Sequence, residues 1–426
     1  MTVRKRFFTC AASCLPTLTA LLTTGCSPSE MLVVTPLDNP AQLSSQLPNL
    51  ADANDNTIVM SWVHKNTLSD KDSATVTYSL HTSRYSDETG WSSFSTVATG
   101  PDWFVNWADF PSVYSSPNGA LAAHWLRRSG DSTYAYDVMT SQSIDGVNWS
   151  EAESPHFDGT QTEHGFASFY SLGGQTALVW LDGRNTESSD NGHADHAKNS
   201  TGAMTLRTRV LTSDNHTPLS MSTLLDERVC DCCQTAAANT NDGAVVFYRD
   251  RSDDEIRDIS YVRFNQKSRN WSLSKLLHQD GWKIEGCPVN GPQADASGAL
   301  VAVAWFTAVP TPRVQLAVSI DNGASFSLPI VVSKSSPLGR VDVVALSSSR
   351  VLVSWLEQED GAATVKTRLF NQDLETVANA DVATIGDDRR SGFPRMAALD
   401  NRRAMISWTN WTDNHSTVST ALITAQ

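Results

Sequence analysis

Helical periodicity is missing from this sequence. No segment repeats its apolar residues at a sustained helical spacing, which argues against a helical bundle or coiled coil. Basic charge is the scarcer sign, with 32 Lys and Arg against 46 Asp and Glu and a formal net charge of −14. That balance argues against nucleic acid or an anionic lipid surface as a partner. The N-terminal apolar run from Phe7 to Leu22 is interrupted by Pro16 and is too short to span a membrane as a stable helix. Cysteine is sparse, at seven residues. Dithiol redox catalysis is the least favoured use of the thiols. There is also no hydrolytic-triad motif, phosphate loop or zinc-protease motif.

Residues 1–25 read as an export signal, with a basic start at Arg4, Lys5 and Arg6 followed by the apolar run. The segment ends in "LLTTGC", which resembles a bacterial lipobox and implies lipidation of Cys26. Ser27 after that cysteine implies, by the same resemblance, sorting to the outer membrane of a Gram-negative envelope. Loss of the signal would take the net charge from −14 to −17, since three basic residues and no acids leave with it. Cys10 and Cys14 would also leave. Four thiols then remain in an oxidising compartment: Cys230, Cys232, Cys233 and Cys287.

Residues 26–426 read as one domain built on a repeat. Seven times a short strand and a Gly/Asn/Asp turn lead into a strongly apolar strand closed by an aromatic, at Trp62, Trp125, Trp180, Tyr248, Trp305, Trp355 and Trp408. An alternating strand and a further turn follow each closing aromatic. Four strands per unit at this period predict an all-β propeller, with seven blades favoured and six the alternative. "EMLVVTP" is a spare N-terminal strand, expected to complete the last blade and remove its open edge.

In such a ring the loop entering a blade's first strand and the loop leaving its second strand share one face. "FVNWAD", "RVCDCC", "EGCPVNGP", "SPLGR" and "DDRRSGFPR" enter; "LDGRNTESSDNGHADHAKN" and "YRDRSDDEIRD" leave. This gathering of charge, histidine and cysteine marks the mouth as the candidate site. Arg184, Arg249, Arg251, Arg340 and Arg395, with Trp107 and Asn290, are its candidate ligand-binding residues. Guanidiniums from several blades suit a carboxylate. The thiols allow two readings. A disulfide from Cys287 to Cys230, Cys232 or Cys233 would stitch adjacent blades. A thiolate site for a soft ion, Cu(I) or Zn(II), suits the tight Cys-x-Cys-Cys spacing, with His193 and His196 as further ligands.

"SIDNGASF" at Ser319–Phe326 matches the Asp-box pattern, and "SIDGVNW" at Ser143–Trp149 is one residue shorter. The pattern assigns structural turn roles to Ser143, Asp145, Trp149, Ser319, Asp321, Gly323 and Phe326, on the face opposite the mouth. Repeat and Asp boxes together resemble the sialidase superfamily, and "VCDCCQTAA", "YRDRSDDEIRDI" and "GCPVNGP" are similar to bacterial exported sialidase-like proteins. The resemblance implies a propeller of six blades, an early Arg-Ile-Pro arginine, a Tyr–Glu nucleophile pair and an Asp acid/base. This chain has "IVMSWVHKN" where the early arginine belongs. Glu163, Asp182, Glu255, Arg251 and Tyr248 are the weak catalytic candidates, and no spacing pairs them. The expectation is therefore a monomeric, envelope-anchored and non-catalytic propeller that binds an anionic glycan, a cell-wall fragment or a protein. A divergent glycoside hydrolase and a copper or zinc thiol protein are the alternatives.

Overall fold

The computed structural model describes residues 30–53, 55–70, 73–186, 202–211, 221–359, 361–412 and 415–426. These form a seven-bladed propeller of antiparallel sheets. Blade 1 comprises Ser45–Asp52, Ile58–Asp70, Ser73–Ser86 and an outer edge split into Gly90–Trp91 and Ser95–Gly100. Blade 2 has Ser112–Ser115, Leu121–Arg128 and Tyr136–Ser143. Blade 3 has His164–Leu172, Gln175–Asp182, Met204–Val210 and Thr223–Val229. Blade 4 has Ala236–Thr240, Gly243–Arg249 and Ile259–Asn265, with Asn270–Trp271 and Lys275–Leu276 outside. Blade 5 has Gln293–Ser297, Leu300–Thr307, Arg313–Ser319 and Ile330–Val331. Blade 6 has Pro337–Ser347, Arg350–Glu359, Ala362–Asn371 and Thr376–Ile385. Blade 7 has Arg395–Ala398, Arg403–Thr412 and His415–Ala425, and Leu32–Leu37 supplies its fourth strand. That N-terminal strand pairs antiparallel from Leu32 opposite Ala425 to Leu37 opposite Thr420, so the expected closure is present.

Blade 2 departs from the four-strand expectation. Its outer position is reduced to a bridge between Thr140 and Glu153. The segment there, "SEAESP", has no β-branched or aromatic residue and ends in Pro155, which has no N–H for a ladder.

The second strands form the core. Every residue of Leu300–Thr307 is buried, and the seven closing aromatics are all buried between blades. An indole N–H in such a place needs an acceptor. Residues two apart share a strand face, and the chain uses that spacing: Trp180 donates to Asp182 (2.8 Å), Trp355 to Glu357 (2.7 Å) and Trp408 to Asn410 (3.0 Å).

The first strands surround the axis and enclose a cavity of about 380 Å³. Side chains on and beside these strands tie each blade to the next, mostly by accepting a backbone N–H from the neighbour. Asn49 accepts from Val113 (3.2 Å), Asp109 from Phe166 (2.8 Å) and Gln234 from Gly291 (3.0 Å). Asp295 accepts from Ala345 (2.9 Å) and Asp342 from Met396 (2.6 Å). Thr409 of blade 7 accepts from Leu47 of blade 1 (3.0 Å), and Thr235 of blade 4 donates to the Phe166 carbonyl of blade 3 (2.7 Å).

At the opposite end from the mouth, Asp321 accepts from the Ser319 hydroxyl (2.7 Å) and the Ser325 N–H (2.9 Å). Gly323, at φ +77°, approaches Val245 so closely that a Cβ would stand 2.4 Å from its side chain. Phe326 packs edge-on to Phe247 and Tyr261. In the shorter turn Asp145 accepts from the Ser143 hydroxyl (3.0 Å) and the Val147 and Asn148 N–H groups (2.8 and 2.7 Å), while Trp149 packs against core clusters at blades 1 and 2. Among the described residues no helix is long and apolar enough to cross a membrane.

Ring closure by residues 30–36 generates a stability prediction. Deleting them leaves His415–Ala425 as an unpaired edge, and the melting temperature should fall by about 5 °C or more. Calorimetry of the truncated chain measures this directly; an unchanged transition would show that the strand does not close the ring.

Candidate functional site

The loop "CDCC" leaves the outer strand of blade 3 and enters blade 4, while Cys287 lies in the loop entering blade 5. The ring brings all four thiols together. The sulfurs of Cys230, Cys232 and Cys233 lie within 4.8 Å of one another, with Cys230 and Cys233 3.3 Å apart. Cys287 stands near enough to Cys232 for the two thiols to shift each other's ionisation, Cys232 upward and Cys287 downward. No sulfur–sulfur bond joins any pair in this structure. Cys230 and Cys233 are buried, Cys232 is half-buried and Cys287 is exposed, so the cluster opens outward from a buried base.

A cationic frame backs this base. Arg257 Nη1 donates to Cys230 Sγ at 3.3 Å. Burial pushes the Cys230 thiol up, but hydrogen bonds from Cys232 and Cys233 and the charge of Arg257 outweigh it and hold the group well below its ordinary range. Arg257 also binds Glu255 (2.9 Å), and Arg251 spans Glu255 (2.8 Å) and Asp231 (3.0 Å). Glu255 is therefore a bracket for two arginines. Arg249 is fully buried over the Trp282 ring and donates to the carbonyls of Asn290 (2.7 Å), Arg257 (2.5 Å) and Phe306 (2.8 Å). Its backbone carbonyl accepts the Cys230 N–H (3.0 Å), and its charge acts on Cys233.

Beside the thiols stands a tyrosine–carboxylate group that the sequence did not pair. Tyr136 donates to Glu163 Oε1 at 2.6 Å and stands 3.1 Å from Asp109 Oδ2. Tyr248 binds Asp226 (2.6 Å) and is fully buried in blade 4. Burial pushes Glu163 up to about 8, against the Tyr136 hydrogen bond, with Asp109, Asp231 and Cys287 adding to the rise. Tyr136 is 1 % exposed and stacked on Phe104 at 4.1 Å, and burial and both carboxyls raise its phenol well above its ordinary value. A buried, protonated phenol is a poor nucleophile. This group is built as a support.

A second group missed in the sequence lies between blades 2 and 3. His156 and His164 stack at 3.8 Å, ringed by Asp137, Asp158 and Asp182. Arg184 is committed here, binding Asp182 at 2.6 Å and Asp158 at 3.2 Å. Burial alone would pull the His164 imidazole down. Asp137, Asp158 and Asp182 outweigh it and hold the group up to about 9, so it is an imidazolium at neutral pH. Two residues of this cluster, His156 and Asp158, sit in an irregular linker, which gave the sequence no periodic signal.

The remaining candidates gather around Trp107. Trp107 stacks on Phe393 (5.9 Å), with Arg340 over its ring at 5.0 Å and Arg389 at 5.8 Å. Asn290 accepts from the Arg340 backbone N–H (2.8 Å), and Arg395 lies over Phe110 with its Nε 3.5 Å from Asp342. The five arginines proposed as one clamp thus fall in separate environments. His193, His196 and Cys26 lie outside the described residues.

No protein-family model and no curated protein matches this chain. Solved structures do. A protein of unknown function from Dyadobacter fermentans aligns at a TM-score of 0.51 and 13 % identity, covering 94 % of this chain and all of its own. The NanB sialidase of Streptococcus pneumoniae aligns at 0.48 and 10 % identity, over 93 % of this chain and 95 % of its own. A PL25 ulvan lyase aligns at 0.49 and 10 % identity, over 90 % and 93 %. These are sialidase-like and other β-propellers, and at such identity the likeness is one of fold alone.

The His164 imidazolium sets a pH dependence. Its folded pKa, about 9, lies above the ordinary 6.5. Its stabilisation is therefore complete below about pH 6.5 and is lost as pH rises through about 9, on the order of 3 kcal/mol in all. Urea denaturation of wild type and His164→Gln should show a stability gap at pH 6 that closes by pH 10. A gap independent of pH would mean that His164 is not charged.

Proposed function

We propose that this protein binds a thiophilic metal ion, Cu(I) or Zn(II), through the thiol cluster at the propeller mouth. One observation carries this reading: four cysteines from the entering loops of two blades converge, three with mutual sulfur distances within 4.8 Å. Two thiolates bound to one ion at about 2.3 Å in tetrahedral geometry stand about 3.8 Å apart. The arginine frame supports the same reading, because a thiolate and not a thiol is the ligand. An exported setting with a lipid anchor on Cys26 belongs to the proposal, on the strength of the "LLTTGC" segment.

A second reading, an anionic glycan held at the same mouth, draws on the Trp107 ring with Arg340 and Arg389 against it. A glycoside hydrolase is not proposed. Tyr136, which donates to Glu163, is buried under Phe104, and release of fluorophore from a fluorogenic sialoside is expected to be absent.

The test is stoichiometry. Reduced protein incubated anaerobically with excess Cu(I) or Zn(II) and desalted should retain about one equivalent of one ion by elemental analysis. Prior alkylation of the thiols should remove it. Two intact disulfides in non-reducing peptide maps of the native protein, with no metal retained after reduction, would overturn the proposal.

A further inference from the structure

Resting on the metal reading above, we infer that the ion is Cu(I), bound in three-coordinate form by Cys230, Cys232 and Cys233, with Cys287 serving as the outer ligand through which it is exchanged with a thiol-bearing donor or acceptor. The geometry separates the four sulfurs into three and one. Cys230, Cys232 and Cys233 form a mutually close set. The Cys287 sulfur stands near Cys232 but falls outside that set. A structural Zn(II) site is closed and tetrahedral, and demands that all six sulfur pairs stand at about 3.8 Å. Three close sulfurs with a fourth to one side instead match a trigonal site, which soft thiolates form with Cu(I).

Backbone restraint reinforces the division. The three inner ligands belong to one four-residue segment. The Cys230 N–H is bound to the Arg249 carbonyl at 3.0 Å, and Arg249 is itself held by three backbone carbonyls. Cys287 comes from a different loop, outside regular strands, and it is the exposed thiol of the four. Glu163 and Asp231 are hard oxygen donors nearby, poorly suited to Cu(I). Asp231 is held by Arg251 at 3.0 Å and Glu163 by Tyr136 at 2.6 Å.

The position of Cys287 fits associative ligand exchange. An incoming thiol-bound Cu(I) first forms a bond to Cys287 sulfur, as one bond to the donor breaks. For a donor that holds the ion by three thiolates, bonds to Cys232 and Cys230 then replace the two remaining donor bonds, and a bond to Cys233 replaces the one to Cys287. Each step makes one Cu–S bond and breaks one. Protons leave the protein thiols for the departing thiolates or solvent, and no electron moves.

Measurements on the reduced full-length chain test this. X-ray absorption of the Cu(I)-loaded protein should give three sulfur neighbours, and in a competition with Zn(II) the site should retain Cu(I). Cys287→Ser should still hold one Cu(I) with the same three neighbours, while transfer of Cu(I) to and from glutathione slows at least tenfold. Cys233→Ser should lose the site, with circular dichroism and melting used to confirm that both variants fold. Four sulfur neighbours, retention of Zn(II) over Cu(I), or unchanged transfer in Cys287→Ser would each overturn the inference while leaving metal binding intact. Retention of neither ion by wild type would instead remove the metal reading on which it rests.

Discussion

The structure depends on the hydrogen bonds that join neighbouring blades around the axis. A propeller's innermost strand is a sheet edge, and its axial N–H groups have no strand partner there. Leaving such a group unpaired costs about 1–3 kcal/mol. Asn49, Asp109, Gln234, Asp295 and Asp342 each accept one of these N–H groups from the next blade, and Thr409 closes the ring onto Leu47. The aromatic core between sheets is permissive about angle, because dispersion and apolar burial have no direction. These polar contacts do have direction. They set the rotation between blades, and with it the positions of the loops that enter them.

The thiol cluster follows from that setting. "CDCC" begins each close approach from the end of blade 3, and Cys287 arrives from the loop into blade 5; Gln234, which binds Gly291, lies one residue beyond Cys233. The hydrogen bond that joins blades 4 and 5 thus also holds the two cysteine loops together. Asp109 has a similar double role. One oxygen joins blade 2 to blade 3 through Phe166, and the other faces Tyr136, which supports Glu163 at the edge of the cluster.

Charge around the mouth is arranged to hold loops in shape. Arg249 is fully buried and satisfied by carbonyls, Arg251 and Arg257 share Glu255, and Arg184 closes the carboxylates around His164. Buried ions of this kind contribute little net stability compared with apolar packing, but removing one partner leaves the other charge unpaired, so each group strongly selects one loop conformation. The cost of that selection is that few of these guanidiniums remain available for an external carboxylate. Around Trp107 the exposed Arg389 and the buried Arg340 both lie over the indole ring.

Local burial was legible in the sequence. The seven closing aromatics, the alternation of the third strands and the spare "LVVTP" segment gave the blade count and the closure, because strand period and apolar runs report which face of a residue is covered. The meeting of Cys287 with the "CDCC" loop was also readable, since adjacent units in a ring are adjacent in space. Pairings that depend on how far a side chain leans across a blade interface were not. Glu163 has Tyr136 as its partner, a tyrosine that the sequence did not single out; Arg249 faces backbone, where it was expected to face a ligand; and His156 and His164 stack although nothing in their spacing says so. A repeat fixes which segments are neighbours. Only the closed ring, with its inter-blade hydrogen bonds and the low dielectric between sheets, decides which polar atoms must find each other there.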